Sequence, residues 1–148
     1  MRTTSLAADG LEARLLGGSA LREGDPIRIE VKAGSQPINV RIDYFSISGE
    51  VLHMLPTGAA PIARLPAGAR RTFESGGAGK EWLAGGAPFG TELVAVIATP
   101  NPLDLDKRPE VERAPDYLRA LEKALQHSRT NAPGPNLVST ILVHTSAR

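Results

Sequence analysis

The segment from Ile38 to Leu55 constrains the fold of this chain more than any other. Its first half alternates apolar and polar side chains, which is the period of a β-strand with one buried and one solvated face. Ser48 and Gly49 are typical of a tight turn, and apolar residues return from Val51 to Leu55. The segment is therefore predicted to be a β-hairpin. The alternating positions are apolar at Ile38, Val40, Ile42 and Tyr44 and polar at Asn39, Arg41 and Asp43.

The apolar set changes phase inside this hairpin. Phe45 and Ile47 continue it on the opposite parity, which predicts a β-bulge near Tyr44. Before the hairpin, Ile27, Ile29 and Val31 alternate with charged residues and predict another strand that is buried on one face.

Three later segments and one earlier segment also read as strands. The run Leu93–Ala98 is apolar at odd and at even positions, so both faces of the strand would be apolar, which is typical of a central strand covered on both faces. Leu137–His144 is rich in β-branched residues and predicts a last strand. Between Thr57 and Gly90 the Gly, Ala and Pro content indicates turns and edge strands, of which Arg70–Phe73 is the strongest. Leu11–Leu16 predicts a weaker strand.

One helix is predicted, from about Pro115 to Ser128. Proline suits the first turn, Asp116 suits the positive end of the helix dipole, and His127 suits the negative end. The expected buried stripe consists of Tyr117 or Leu118, Leu121, Ala124 and Leu125.

These elements predict a mainly β fold. Several strands in antiparallel order, one late helix and no βαβ alternation favour an antiparallel β-sandwich, immunoglobulin-like in architecture, with one α-helix in the connection before the last strand. Residues 1–20 are expected to be an N-terminal extension or a weak first strand, and residues 21–148 a single sandwich domain. A chain of 148 residues is long enough to bury one core without staples.

Composition excludes several classes of function. The net charge of +1 gives no global field that would attract nucleic acid, and no apolar run is long enough for membrane insertion. Cysteine is absent, which removes disulfides, thiolate nucleophiles and zinc-thiolate sites. Neither a cofactor nor a metal is expected.

The phosphate-loop motif is incomplete in this chain. Residues 76–80 invite a phosphate-loop interpretation, but Glu74 stands where the motif needs Gly and Glu81 where it needs Ser or Thr. A surface loop is the favoured interpretation. The carboxylates of Asp104, Asp106, Glu110 and Glu112 are interleaved with basic residues, which favours a solvated linker over calcium binding.

The three histidines show no metal or catalytic spacing. His53, His127 and His144 are each expected to be packed or capping residues, although the sequence leaves open whether they converge in space. No GxSxG nucleophile elbow occurs.

Four residues form the candidate binding surface. Trp82 is the only tryptophan and lies among glycines; burial at the end of the core is favoured over exposure as an anchor for a partner. Phe89 and Thr91 lead into the central strand, and Glu92 stands at its start. Glu92 is expected either to accept backbone N–H groups in a turn or to present a polar group at the mouth of the sandwich.

The order of these signatures resembles the domain of unknown function 4384 family. The resemblance runs from Leu21 to Thr145 through Glu23-Gly24-Asp25, the hairpin ending in Leu55-Pro56, the run from Phe89 to Leu93, and Tyr117-Leu118. It implies an accessory domain C-terminal to bacterial serine/threonine kinase or caspase-like peptidase domains, in the periplasm or cell envelope rather than the cytoplasm. It carries no catalytic residues.

The favoured hypothesis is a non-catalytic binding or sensing module that recognises a protein, peptide or small ligand, with a protein or peptide as the expected partner. A small hydrolase assembled from His53, Asp43 and Glu92 is the alternative, and a structural subunit of a cell-envelope or secretion assembly is another. The isolated chain is expected not to be an enzyme, and its oligomeric state is left open.

Overall fold

A computed structural model describes residues 2–3, 10–57, 62–77, 80–103, 105, 107–131 and 136–148. Residues 1 and 4–9 of the predicted N-terminal extension, residues 78 and 79 of the predicted surface loop, and Asp104 and Asp106 of the carboxylate stretch lie outside these residues.

The described chain forms eleven strands and one helix. In chain order they are β1 (Arg2–Thr3), β2 (Leu11–Leu15), β3 (Ala20–Arg22), β4 (Ile29–Ala33), β5 (Ile38–Phe45), β6 (Glu50–Leu55), β7 (Ala63–Leu65), β8 (Arg70–Phe73), β9 (Thr91–Thr99), β10 (Val111–Arg113), α1 (Ala114–Asn131) and β11 (Leu137–Ser146).

Two sheets stack on one another. The large sheet has the order β1-β11-β9-β5-β6-β10, with β3 added beside β11 and β7 beside β5. The small sheet has the order β2-β4-β8. Among the described pairs only β3 and β11 run parallel. The mainly β sandwich with a single helix before its last strand is confirmed.

The larger core lies between the two sheets. Ile42 of β5 and Val96 of β9 meet Ile29 and Val31 of β4 there, and each is fully buried. Leu11, Ala13 and Leu15 of β2 also face this core, so the segment considered a weak strand contributes to it.

Helix α1 covers the opposite face of the large sheet, which we call the outer face. Tyr117 and Leu121 pack there against Val51 and Ile97 in a second, smaller cluster. Leu118 is 47% exposed, so Tyr117 rather than Leu118 belongs to the buried stripe. Because the sheet is covered on both sides, β5 is buried at every position from Ile38 to Tyr44.

This two-sided burial corrects the sequence interpretation of β5. The alternation predicts a solvated face for Asn39, Arg41 and Asp43, but all three are buried, and Arg41 and Asp43 contact Tyr117 of the helix. The apolar phase change at Phe45 follows from the same cause, since Phe45 packs against the outer cluster. An irregularity in the pairing of β5 with β6 exists, but it lies between Ile42 and Asp43.

The β5–β6 hairpin turns as its sequence predicts. Gly49 has a φ of 89°, and its amide donates to the carbonyl of Ser46. Glycine adopts this left-handed conformation without the steric cost that a Cβ brings.

Candidate functional site

A buried polar network lies on the outer face, where β5, β6, β10 and α1 meet. Asp43 comes from β5, His53 from β6, Glu112 from β10 and Tyr117 from α1. Asp43 and Tyr117 are fully buried and His53 is 5% exposed. Buried groups of this kind are tolerated only when they are hydrogen-bonded to one another.

His53 bridges two carboxylates in this network. Its Nδ1 lies 2.8 Å from Oδ1 of Asp43, and its Nε2 lies 2.6 Å from Oε2 of Glu112. The ring also packs edge-on against Tyr117, with centroids 4.5 Å apart. The imidazole is thus fixed in orientation by three elements at once.

Asp43 is held by donors on its other oxygen. The hydroxyl of Tyr117 donates to Oδ2 of Asp43, and Nε of Arg41 lies 3.3 Å from the same oxygen. Arg41 Nε also lies 2.8 Å from the Tyr117 hydroxyl, and its Nη2 lies 3.2 Å from Nδ1 of His53. Burial and the adjacent Asp43 carboxylate raise the pKa of Tyr117, so its hydroxyl stays a donor.

Glu112 is anchored from outside by Arg108. Nε of Arg108 donates to Oε2 of Glu112 at 3.0 Å, and its Nη2 donates to Oε1. These hydrogen bonds are the main cause that holds the pKa of Glu112 below its ordinary value of 4.5, and the contact with His53 adds to them.

The side chains of the network are largely buried, and Arg41 and His53 border a neighbouring cavity. Each carboxylate accepts from protein donors, and the side chains of Asp43 and His53 are 0% and 4% exposed. Among the described residues no three His, Asp or Glu side chains are placed to hold a metal ion. Its chemistry is therefore that of a buried ion-pair network that joins the helix layer to the sheet.

A cavity of about 1260 Å³ runs along the β6 side of the large sheet. Its part on the inner face, the face toward the small sheet, is lined by Tyr44 and Met54 of the hairpin and by Trp82 and Leu83 of the loop before β9. Its wall toward the helix layer includes residues 107–111 together with Arg41 and His53 of the network. The cavity thus touches both layers.

Three of the five large hydrophobic side chains that the described residues expose line this cavity. They are Ile47, Leu83 and Val111, which are 47%, 53% and 45% exposed. The other two, Leu118 and Val138, lie elsewhere. Exposed apolar side chains that cluster at one concave place mark binding surfaces, whereas scattered ones need no explanation.

Trp82 and Glu92 are the two predicted site residues that line the cavity. Trp82 is half-buried against the larger core, so it is neither fully buried nor a free anchor. Phe89 is half-buried and does not line the cavity. Thr91 is exposed and pairs with His144, with 3.1 Å between its hydroxyl and Nδ1.

Glu92 fixes the hairpin turn. Its Oε2 accepts the amide of Ile47 at 2.9 Å, and its Oε1 accepts the hydroxyl of Tyr44. Glu92 therefore accepts a backbone N–H of the turn, as the first of its two interpretations predicts. Burial of Tyr44, together with this carboxylate, raises the pKa of the Tyr44 hydroxyl.

The structure brings together two members of the hydrolase alternative and separates the third. Asp43 and His53 are in contact on the outer face. Glu92 bonds Tyr44, which belongs to the larger core on the inner face, so a sheet lies between Glu92 and the other two. The three-residue arrangement is not formed. His144 lies on β11 beside Thr91 and His127 near the end of α1, apart from His53.

Sequence reasoning missed the network as a unit. The charges interleaved around Glu112 indicate a solvated linker, and the apolar stripe of the helix predicts only a packing role for Tyr117. One signal was available in the sequence. Every second residue of the strand, namely Asn39, Arg41 and Asp43, is polar, and the chain has one amphipathic helix that could cover them. Nothing in the sequence pairs those residues with Glu112, because that contact depends on how β10 returns to β6.

Comparison with known proteins identifies a family and nothing more specific. No curated protein and no solved structure matches the chain. The family described as Domain of unknown function (DUF4384) matches residues 20–102, more than half of the chain. The match includes Asp43, His53, Trp82 and Glu92 but ends before Glu112 and Tyr117. The chain therefore belongs to the domain of unknown function 4384 family.

Proposed function

We propose that this domain is a non-catalytic binding module whose cavity beside β6 receives an extended segment of another protein. The observation that carries the proposal is the concentration of exposed Ile47, Leu83 and Val111 along one cavity. Apolar anchors surrounded by polar residues are the usual composition of a protein-recognition surface.

The size of the cavity favours a protein segment over a small molecule. Small-molecule pockets occupy about 300 to 1,000 Å³ and enclose most of their ligand. The present cavity, of about 1260 Å³, is larger. It also leaves its apolar side chains about half exposed, which suits a chain lying along a groove.

The charges at the cavity favour a segment of mixed charge. The exposed charged residues there carry both signs, whereas a polyanion would require a basic surface. They are Glu50, Lys80, Glu81, Lys107 and Glu110.

The buried network supports a non-catalytic role, because its imidazole and carboxylates bond one another beneath the helix layer. Membership of the family and the resemblance to accessory domains favour a role within a larger bacterial signalling or peptidase protein, in the periplasm or cell envelope. Among the described residues no helix is long and apolar enough to cross a membrane.

The test is selection of ligands from a displayed library of random peptides. We expect the domain to enrich peptides with spaced apolar residues, and each bound peptide to change the fluorescence of Trp82, the only tryptophan. Ile47→Ala and Leu83→Ala should each weaken binding by about tenfold, because truncating a buried interface side chain costs about 1 kcal/mol or more.

Val138→Ala is the matched control. Val138 is 42% exposed but lies on β11, away from the cavity, so this change should leave affinity unaltered. Enrichment of no peptide over a blank support, or equal losses for all three variants, would contradict the proposal.

A further inference from the structure

His53 lies between a central strand and an edge segment of the same sheet. Its two ring nitrogens contact Asp43 of β5 and Glu112 of β10. We define residues 107–113, which include β10, as the strap. We propose that the protonation state of His53 controls the attachment of the strap to β6, so that the strap is held when the imidazole is protonated and loosened when it is neutral.

Every element packed against His53 presents a polar group to it. Asp43 and Arg41 approach from β5, Tyr117 approaches from α1, and Glu112 approaches from β10 with Arg108 behind it. Tyr117 keeps its proton because burial raises its pKa, and Glu112 stays ionised because Arg108 lowers its pKa. Imidazole is the side chain whose charge ordinarily changes near neutral pH.

The number of protons on the ring decides how many carboxylates it can satisfy. A protonated imidazole donates from both nitrogens, which matches the separations of 2.8 Å to Asp43 and 2.6 Å to Glu112. A neutral imidazole has a single N–H. If that proton is on Nε2, the Nδ1 lone pair can accept from Nη2 of Arg41, 3.2 Å away. If it is on Nδ1, which then donates to Asp43, the Nε2 lone pair faces a carboxylate oxygen of Glu112 at hydrogen-bond distance. Such a buried, unmatched contact is unfavourable.

Of the two contacts of His53, the one with Glu112 is the one that can break. Asp43 belongs to β5, which is paired with β9 on one side and β6 on the other, and it also accepts the Tyr117 hydroxyl. Glu112 belongs to a strand of three residues whose one partner among the described strands is β6. A short edge strand opens at lower free energy than a central one.

Loosening the strap would alter the cavity wall, since Arg108, Glu110 and Val111 line it. The inference concerns the free protein and does not depend on what the cavity binds.

Amide hydrogen exchange of the whole chain tests the inference. Protection factors, corrected for the intrinsic pH dependence of exchange, are measured for residues 111–114 and for β9 between about pH 5 and pH 8, where imidazole changes charge. NMR of the His53 ring gives its protonation state over the same range. We expect protection in 111–114 to fall about tenfold or more as His53 loses its proton, the effect of one charge-assisted hydrogen bond, while β9 stays protected.

Two variants test whether the contact between His53 and Glu112, rather than another titrating group, causes the pH dependence of the protection. Glu112→Gln offers both a carbonyl oxygen and an amide N–H to Nε2, so it can bond either protonation state and should make the protection of 111–114 independent of pH. His144→Gln, which changes an exposed histidine on β11, should leave the pH dependence as in the unchanged protein.

Three results would overturn the inference. The first is protection of 111–114 that does not change with pH in the unchanged protein. The second is a change whose midpoint differs from that of the His53 ring, or a ring that keeps one protonation state throughout. The third is a pH dependence that survives in folded Glu112→Gln.

Discussion

Asp43 and Tyr44 are neighbours in sequence, yet their side chains enter different layers of the molecule. Asp43 accepts the Tyr117 hydroxyl beneath the helix, whereas Tyr44 belongs to the core between the sheets and donates to Glu92. One strand thereby joins a buried polar network to an apolar core. The alternation of side chains along β5 is the reason.

Removing the Tyr117 hydroxyl should destabilise the fold. In Tyr117→Phe, Oδ2 of Asp43 loses a donor while both groups stay buried, so we expect the free energy of unfolding to fall by about 1 to 3 kcal/mol. Urea denaturation followed by circular dichroism measures it. Thr72→Val, which removes an exposed hydroxyl on β8, should change stability by less than about 0.5 kcal/mol. Equal effects of the two changes would contradict the role of the network.

Acid should weaken the fold through Glu112. Its pKa in the folded protein lies below the ordinary value of 4.5, mainly because Arg108 donates to it. The resulting stabilisation is fully present above pH 4.5 and is lost as the pH falls through the folded pKa. The stability difference between the unchanged protein and Glu112→Gln should therefore shrink on acidification.

Urea midpoints of both proteins at pH 6 and at lower pH values check this expectation. A difference that stays constant into strong acid would show that the carboxylate is not stabilised in the folded state.

Two glycines with equal free space but different backbone conformations provide a test of the hairpin turn. Gly49 has a φ of 89°, and a Cβ added there would meet nothing within 4 Å. Gly49→Ala should therefore cost about 1 to 2 kcal/mol from backbone strain alone. Gly85 has equal space and no positive φ, so Gly85→Ala should be neutral or stabilise by up to about 1 kcal/mol. Thermal unfolding measures the stability of both variants. A loss of stability in Gly85→Ala as large as that in Gly49→Ala would refute the conformational explanation.

Leu121 and Leu118 test the packing of α1 on the sheet. Leu121 is 9% exposed and contacts the outer cluster, whereas Leu118 is 47% exposed. Leu121→Ala should cost about 2 to 5 kcal/mol through lost burial and a residual cavity. Leu118→Ala should cost less than about 1 kcal/mol. Chemical denaturation measures both, and similar losses would mean that the helix faces the sheet differently.

The local signals in this sequence were sufficient for the longer elements but did not predict the short strands β3 and β10. Two-residue periodicity predicted the β5–β6 hairpin and its Ser48-Gly49 turn, the apolar run at Leu93 predicted the central strand β9, and Pro115 with Asp116 predicted where α1 begins. Each signal acts over a few residues, within reach of backbone geometry and side-chain direction. The order of these signals also sufficed to recognise the family.

The candidate site was predictable only in part. Trp82 and Glu92 were identified because an aromatic and an acidic residue stand out in a glycine-rich loop and at a strand start, and both line the cavity. Ile47 and Val111 carried no comparable signal, since an exposed apolar residue looks like a buried one in sequence. Their importance depends on the concave surface that they share.

The sequence by itself determined the longer strands, the turn and the helix, because those depend on the conformations and spacing of neighbouring residues. Tertiary structure alone decided that the outer face of β5 is buried and that His53 meets Asp43 and Glu112, from strands distant in the chain. Periodicity reports that a strand has two kinds of face, but it does not report what covers each face. Here the helix layer covers the polar one, and its charges are satisfied by partners that only the folding of β10 and α1 onto the sheet brings within hydrogen-bond distance.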